Sequence, residues 1–514
     1  MPALFDRRAW YPLLIAVLSL ASWAALSGSS PGGQATAAAQ ALTVSETVLA
    51  RLDQHADLER LMADRRTVRR VVWVSKDGRS ERVVVDGTPG PVFDKVELNA
   101  DTFSPDSTRV AYWGKRDKWY AVVDGKEYGP YAMQRRIIFS GDSRTAVWHG
   151  CSSSWSGKCV RVTNGVEGDP VEPTTVDVFS REGSTLAFRE LTKEGNRRVA
   201  RVVVNGEKGP PFKAVGRPHL SADGRHVAYW AQRDDENVMR LIVDGTAVEG
   251  VEGRSSDLYA LDRLLSFYDL PFAPDERRLA FVIERNDKLI PVIHGKSGPA
   301  SDWFGWLAFD ASFGRSAYVV TSTGGFLKAL RMMGGLNPVD LRTADTRLVL
   351  DGVERPDIGR PKGPPVFSPD GKRLAVPLEQ TVVVDEQAGA LYDGVAPSSI
   401  NFSPDSRHVA YAVEQRKKWR VVVDGVAGPA YKAVGGVWEF GQRALAFTPD
   451  SRQVIYKAEV DGGWVLVVDP GGTSPAYDEI SSVIAFEAPG TATVIARRGT
   501  DVLRVVVSLP AKVE

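Results

Sequence analysis

The stretch "FSPDSTRVAYWGKRDKWYAVVDGKEYGPY" runs from Phe103 to Tyr131 and returns as "FSPDSRHVAYAVEQRKKWRVVVDGVAGPAY" from Phe402 to Tyr431. The aromatic residue or Leu that opens the unit recurs at Phe103, Phe139, Phe179, Leu220, Phe272, Phe309, Phe367, Phe402, Phe447 and Phe486. An apolar run then ends, about every 43 residues, at Asp86, Asp124, Asn164, Asn205, Asp244, His294, Asp351, Asp385, Asp424 and Asp469. A period in this range is typical of solenoid, propeller or array proteins.

Within one unit the pattern is that of short β-strands. Runs such as Val421 to Val423 are β-branched and are bounded by Ser-Pro-Asp or Asp-Gly, which favour tight turns. Each unit therefore predicts about four strands, which is the content of one propeller blade. No unit contains a ten-residue stretch with helical spacing, and this excludes a helical solenoid.

The predicted fold class is all-β, a β-propeller of about ten four-stranded blades over residues 68–514. Ten blades exceed the roughly four to eight of a common ring. Two arrangements remain open: two tandem rings, with a junction near residues 296–345, or one large ring in which incomplete units at the two ends complete one blade. The wide spacing between Asp244, His294 and Asp351 favours two rings.

The half-unit F-S-P-D-[GS]-x-R-[VL]-A-[YF], seen at Phe103, Phe367 and Phe402, resembles the WD-like, TolB-type propeller repeat. The resemblance extends over about residues 68–507. It implies a propeller fold and little about activity, because that repeat is found in binding proteins and in the propeller domains of serine peptidases. The second half-unit, "VVVDGxxGPxY", departs from the pattern and points to no named activity.

The amino terminus reads as an export signal. Arg7 and Arg8 precede an apolar run at residues 13–26, and small residues follow up to Ala41. Residues 1–41 are therefore predicted to be a signal peptide cleaved near Ala41, with an uncleaved N-terminal anchor as the alternative. Residues 42–67 are predicted to form an amphipathic helix, because apolar residues recur there at helical spacing. The protein is then periplasmic or secreted, and it meets a membrane only through this segment if it is uncleaved.

Composition and motifs exclude several functions. The 514 residues carry 64 Lys+Arg and 64 Asp+Glu, so no basic excess favours nucleic acid as a partner. There is no Gly-x-Ser-x-Gly motif, and residues 508–514 form no α/β segment of the kind in which we would expect a peptidase triad. The recurring acids are interpreted as turn caps, and we expect no catalytic residue, metal or cofactor. Those acids are Asp106, Asp370, Asp405 and Asp450.

Cys151 and Cys159 flank "SSSWSGK" between two strands of one unit. Cys159 stands in the position that holds Trp119 and Trp419 in sister units, so the two cysteines should face each other across a hairpin. In an oxidising compartment that arrangement predicts a disulfide. The alternative, a metal or redox pair, lacks further His or Cys ligands nearby.

Five aromatic residues outside the repeat positions are candidate binding residues: Trp155, Trp303, Phe304, Trp306 and Trp438. Exposed aromatic residues are enriched at protein interfaces. The sequence therefore predicts a non-catalytic, exported binding or scaffold protein that engages another protein or a cell-envelope component through loops on one face. The alternative is a propeller enzyme acting on a glycan or small molecule in the central channel.

Overall fold

The computed structural model describes thirteen segments of the chain. They comprise residues 40–53, 56–64, 68–99, 101–152, 159–171, 177–254, 280–285, 288–293, 295–321, 345–435, 445–481, 484–488 and 490–509. These residues are almost entirely β-strand. The helical elements among them are two short 3-10 turns, Pro356–Ile358 and Pro397–Ser399. No helix among the described residues has both the length and the apolar character needed to cross a membrane.

The described strands form eleven sheets, numbered here in chain order. Sheets 1 to 4 contain Ala56–Ala63, Val71–Asp77, Ser80–Val85 and Thr88–Phe93; Lys95–Glu97, Ala111–Lys115, Trp119–Val123 and Lys126–Tyr131; Ile138–Phe139, Ala146–Cys151, Cys159–Thr163 and Val166–Val171; and Asp177–Phe179, Leu186–Glu194, Arg197–Val204 and Glu207–Lys208. Sheets 5 to 8 contain Ala214–Val215, His219–Leu220, Val227–Gln232, Val238–Val243 and Thr246–Arg254; Ala280–Arg285, Lys288–Ile293 and Lys296–Ser297; Trp303–Phe309, Ser316–Thr321, Thr346–Leu350 and Val353–Arg355; and Val366–Phe367, Leu374–Pro377, Val382–Val384 and Gln387–Ala388.

Sheets 9 to 11 complete the series. They contain Gly394–Val395, Asn401–Phe402, Val409–Gln415, Lys418–Val423 and Val426–Ala427; Gln40–Ala41, Ala433–Val434, Leu445–Phe447, Val454–Val460, Gly463–Asp469 and Gly472–Thr473; and Val44–Arg51, Glu479–Ile480, Thr491–Arg498 and Asp501–Ser508. Chain neighbours within a sheet pair antiparallel, and the first strand of sheets 5, 9 and 10 is broken into two pieces. This succession of small antiparallel sheets is a β-propeller, as the repeat predicts.

The Asp-Gly pairs end the third strand of a sheet for a conformational reason. In sheet 1, Asp86 and Gly87 have φ angles of 50° and 85°, the left-handed values of a tight hairpin turn. The carboxylate of Asp86 also accepts a hydrogen bond of 2.8 Å from the backbone N–H of Val71. Asp thus both tolerates the turn and ties it to the neighbouring strand.

The Gly-Pro half of the unit has a packing role. At Gly90 of sheet 1, a Cβ atom would lie 2.7 Å from the hydroxyl oxygen of Tyr112 in sheet 2. At Gly298 of sheet 6, it would lie 2.1 Å from the hydroxyl of Tyr318 in sheet 7. Glycine is required there because the tyrosine of the next sheet lies directly against the strand.

The predicted amphipathic helix over residues 42–67 is wrong. Val44–Arg51 is a strand that pairs with Asp501–Ser508 of sheet 11, and Ala56–Ala63 is the first strand of sheet 1. The segment thus supplies the two strands that the terminal units lack, and sheet pairing overrides its helical spacing. Gln40 and Ala41, assigned above to the signal peptide, pair with Gly472 and Thr473.

Neighbouring sheets pack face to face through buried apolar clusters. Ten such clusters lie at interfaces between consecutive sheets of the described chain. One of them joins the last sheet to the first, through Ile495 and Val502 of sheet 11 and Trp73 and Val84 of sheet 1. The succession of contacts between sheets is therefore closed.

The loops of the sheets fall on two opposite sides. We call the side with the Ser-Pro-Asp loops and the Asp-Gly turns the turn face. The hairpin face carries the hairpins between second and third strands and the connections to the next sheet. The turns of neighbouring sheets meet on one side, as the 2.9 Å hydrogen bond from the Asp106 backbone N–H to Ser143 Oγ demonstrates.

Candidate functional site

The recurring aspartates of the turn face are turn caps, as predicted. Asp106 accepts hydrogen bonds from the Ser104 hydroxyl at 2.7 Å and from the Thr108 backbone N–H at 3.0 Å. Burial alone would raise the pKa of Asp106, but these hydrogen bonds outweigh it and lower the pKa to about 2. The same serine or threonine contact recurs at Asp142, Asp223, Asp370, Asp405 and Asp450. These carboxylates are engaged in the structure of their own loops.

A second recurring device on the turn face is an arginine that bridges two sheets. Arg109 of sheet 2 donates from Nε to Asp124 at 2.8 Å and from Nη1 to the carbonyl of Arg144 in sheet 3 at 2.9 Å. Its guanidinium also lies 5.3 Å from the ring centre of Phe139. Arginines with the same turn-aspartate contact are Arg70, Arg315 and Arg373.

Two histidines replace this arginine in sister sheets. The Nδ1 atoms of His226 and His408 lie 2.6 Å from the carboxylates of Asp244 and Asp424. Each histidine therefore reproduces one of the two contacts of the arginine, the contact with the turn aspartate of its own sheet. Both side chains are tied to a turn.

A groove of about 690 Å³ lies between sheets 1 and 2 on the turn face. Its charged lining residues are the pairs Arg70 with Asp86 and Arg109 with Asp124, already joined at 2.7 and 2.8 Å. The groove is lined by residues of the repeat, and its charged side chains form ion pairs with one another.

The hairpin face brings two of the predicted aromatic residues together. Trp303 and Trp306, in the first strand of sheet 7, are half-buried, and their rings meet edge to face with centres 5.7 Å apart. Phe304, between them in sequence, is only 2% exposed and packs in the core against Tyr318. The remaining two predicted residues, Trp155 and Trp438, lie outside the described residues.

A local irregularity makes the contact between the two tryptophans possible. Side chains alternate along a strand, so residues three apart normally point to opposite sides. The pairing of this strand shifts between Gly305 and Ala308, and Trp306 takes a φ of 51° there. Such a conformation in a bulky residue costs roughly 1–2 kcal/mol. It is held in place by the buried strand pairs on either side.

Cys151 and Cys159 form the predicted disulfide, with a sulfur–sulfur distance of 2.03 Å. They stand directly opposite each other in the second and third strands of sheet 3. Both residues are fully buried.

Next to the disulfide lies a cluster of three titratable residues, His149, Arg161 and Asp177, that the sequence analysis did not identify. His149 Nε2 is 2.6 Å from one carboxylate oxygen of Asp177, and Arg161 Nη2 is 2.9 Å from the other. The side chains of His149 and Asp177 are 4% and 5% exposed. Arg161 also lies over Phe188, with its guanidinium carbon 3.4 Å from the ring centre.

Burial on its own would raise the pKa of Asp177. The hydrogen bond and charge of His149, with the Arg161 guanidinium, outweigh burial and hold the pKa below its usual range. Asp177 is therefore the anion that neutralises Arg161 and contacts His149 of the neighbouring sheet. Removing it would leave a buried guanidinium without a counter-ion.

The repeat alignment contained a signal for this cluster. Arg161 stands three residues before the turn residue, where Val202, Leu241 and Val421 stand in sister units. Asp177 stands two residues before the opening aromatic, where Ile137 and Ile400 stand. The position of Arg161 is apolar in the sister units, and the position of Asp177 holds an acid in one other unit, Asp101 before Phe103, so the arginine is the clearer departure from the packing role.

No family model matches this chain, and no curated protein matches it. Solved structures resemble it weakly. A eukaryotic initiation factor is 11% identical with a TM-score of 0.35, over 78% of this chain and 97% of that one. The β-propeller domain of the Trilobed protease from Pyrococcus furiosus is 12% identical with a TM-score of 0.26, over 59% and 97%. TolB from Acinetobacter baumannii is 12% identical with a TM-score of 0.24, over 50% and 65%. The propeller assignment therefore rests on the sheets themselves.

Proposed function

We propose that this protein is a non-catalytic, exported β-propeller scaffold that binds another protein or a cell-envelope component through its hairpin face. The observation that carries the proposal is the half-buried pair of Trp303 and Trp306. An interface residue that binds strongly is commonly a tryptophan held rigidly in a partly desolvated position. The φ of 51° at Trp306 has a structural cost that a purely structural strand would avoid.

The contrast between the two faces supports the same choice. On the turn face, the aspartates and arginines are engaged in hydrogen bonds within and between sheets. Because these side chains contact one another in the same way from sheet to sheet, the turn face is regular. The hairpin face departs from the repeat at the tryptophan pair, and a regular scaffold with one irregular face suits recognition.

We further propose that the eleven sheets constitute one ring and that the chain reaches an oxidising compartment by means of its N-terminal signal. The apolar contact between sheets 11 and 1 supports a single ring. The disulfide between Cys151 and Cys159 supports the compartment, because such bonds persist where thiols are oxidised.

The binding proposal is tested by a pair of variants. The first, Trp303→Ala with Trp306→Ala, removes the aromatic pair, and the second, Val166→Ala with Val426→Ala, removes two residues that are 71% and 73% exposed on the turn face. Each mature protein is immobilised, exposed to envelope extract, and the captured component is purified and titrated. Loss of a binding tryptophan costs about 2 kcal/mol, or roughly thirtyfold in affinity.

We expect the tryptophan variant to lose at least that much affinity and the valine variant to keep the parent value. Equal affinity in both variants would place binding elsewhere and contradict the proposal. Turnover of a glycan or ester by the parent protein, abolished by one acid-to-amide change, would contradict the non-catalytic part.

A further inference from the structure

The interface between sheets 3 and 4, called interface 3/4 below, differs from the other ten in what fills it. The ten apolar clusters of the described residues lie at the other interfaces, including sheet 3 with sheet 2 and sheet 4 with sheet 5. Interface 3/4 instead holds His149 and Arg161 from sheet 3 and Asp177 from sheet 4, set among the buried side chains of Val147, Phe188 and Val203. Glu190, which shares a sheet face with Phe188, contributes a further charge and pairs with Lys208 at 3.0 Å.

The interface between sheets 9 and 10, interface 9/10, is the matched case. The positions of His149, Arg161 and Asp177 are filled there by Ala412, Val421 and Leu445, and all three belong to one buried apolar cluster. The register is the same in both places. His149 pairs with Arg161 as Ala412 pairs with Val421, and Asp177 pairs with Phe188 as Leu445 pairs with Tyr456.

The turn-face links are also weaker at interface 3/4, as they are between sheets 4 and 5, where Thr185 and Gly224 stand in the equivalent positions. Sheet 3 carries Thr145 in the position of the bridging Arg109, and a threonine side chain is too short to reach the next sheet. At other interfaces, a serine hydroxyl accepts a hydrogen bond from a backbone N–H of the preceding sheet; the serines are Ser143, Ser406 and Ser451. At interface 3/4 this position is Gly183, and its backbone carbonyl accepts the hydrogen bond from the Asp142 N–H at 3.3 Å.

Separating two sheets has a different cost at the two kinds of interface. Opening an apolar cluster exposes hydrocarbon to water, which costs about 25 cal/mol per Å². Opening a buried ion pair returns the desolvation penalty, because each charge recovers its water. The polar interface is therefore the easier one to open.

We propose that interface 3/4 is the gate of the ring, where two neighbouring sheets separate reversibly while the apolar interfaces stay closed. The gate gives polar solutes a route between the sheets into the interior. The disulfide lies on this interface, because Cys151 and Cys159 are two residues along from His149 and Arg161 on the same side of sheet 3. It holds the hairpin of sheet 3 together while the sheets move apart.

The buried disulfide is itself a reporter of opening. The folded protein is treated with the water-soluble reductant tris(2-carboxyethyl)phosphine, and the rate of thiol appearance is measured across low urea concentrations. Reduction through a local opening depends weakly on urea, whereas reduction through global unfolding depends steeply on it. We expect measurable reduction with a weak urea dependence.

Two variants and one control test the location of the gate. The triple variant His149→Ala, Arg161→Val and Asp177→Leu copies interface 9/10, and it should slow reduction by roughly tenfold or more because an apolar network replaces the ion pairs. The second variant, Thr145→Arg with Asn164→Asp, installs the bridging arginine and should also slow reduction, whether or not the triple variant folds. The control, Leu445→Ala, weakens interface 9/10 and should leave the rate unchanged.

The proposal is overturned if reduction follows global unfolding, with a steep urea dependence and acceleration by Leu445→Ala. It is also overturned if both interface 3/4 variants are reduced at the parent rate. That result would mean that the reductant reaches the disulfide without separation of sheets 3 and 4.

Discussion

Interfaces 3/4 and 9/10 share one strand register and differ, among other side chains, in the three that stand at the positions of His149, Arg161 and Asp177. Ala412, Val421 and Leu445 are held by apolar burial, which needs no exact partner. The polar cluster of interface 3/4 is stable only when all its members are present, because each buried polar group is compensated by its neighbours. The comparison teaches that a repeat fold can exchange its packing at one interface without changing its strands, and that the exchange makes that interface intolerant of single substitutions.

The largest effect is expected from Asp177→Asn. This change leaves the buried Arg161 guanidinium without its anion, and removing one partner of a buried pair costs about 3–5 kcal/mol. The free energy of unfolding from urea titration at pH 7 measures it. The triple variant that copies interface 9/10 is the control. Its free energy of unfolding should be unchanged or higher than that of the parent by about 1–4 kcal/mol. A loss in the triple variant as large as in Asp177→Asn would remove the distinction between the two interfaces.

The next effect in size concerns the disulfide at interface 3/4. Replacing Cys151 and Cys159 with serine opens a loop with a sequence separation of 8 residues, and we expect a loss of about 2 kcal/mol. The hairpin must then hold Arg161 over Asp177 by strand pairing alone. Urea titration of the double variant, in the parent and in the triple variant, measures the coupling between disulfide and charges. Equal losses in both backgrounds would mean that the disulfide and the charged cluster act independently.

The pH dependence sharpens the same comparison. The pKa of Asp177 is lowered in the folded protein, so its contribution is complete above about pH 4, the unfolded value, and is lost as pH falls through the folded value. The quantity to compare is the difference in unfolding free energy between the parent and Asp177→Asn. Below pH 4 it should shrink, by at most about 1.4 kcal/mol per pH unit. The difference between the parent and Leu445→Ala contains no titrating group and should stay constant over the same range.

Much of this fold is predictable from sequence, and the reasons are local. Asp86 and Gly87 specify their turn from two residues, and Cys159 reveals its partner by its place in the unit. The strand Val44–Arg51 is different, because its residues pair with residues 450 to 463 positions away along the chain and its own spacing fits a helix. The local sequence pattern could not distinguish a helix from a strand in this segment.

The charged cluster was hidden for another reason. His149, Arg161 and Asp177 come from two successive units, and each alone is an ordinary polar residue. Only the sheet register brings them to one interface, where their departure from the repeat becomes a shared property. The contact of Trp303 with Trp306 likewise depends on a strand irregularity that no turn motif announces.

The smallest expected effect belongs to the turn face, at Arg109. This arginine links sheets 2 and 3 through Asp124 and the carbonyl of Arg144, but the interface below it also holds Trp113, Ile137 and Trp148 in an apolar cluster. Because the arginine is partly exposed, Arg109→Ala should cost only about 1 kcal/mol in unfolding free energy. The loss should shrink in 1 M salt, whereas the cost of Asp177→Asn should hardly change, since buried pairs are little screened.

Arg79→Ala, an exposed arginine in the hairpin turn of sheet 1, is the matched control and should cost less than about 0.5 kcal/mol. A cost at Arg109 equal to that at Asp177 would mean that arginine bridges, and not what fills an interface, decide how firmly two sheets are joined.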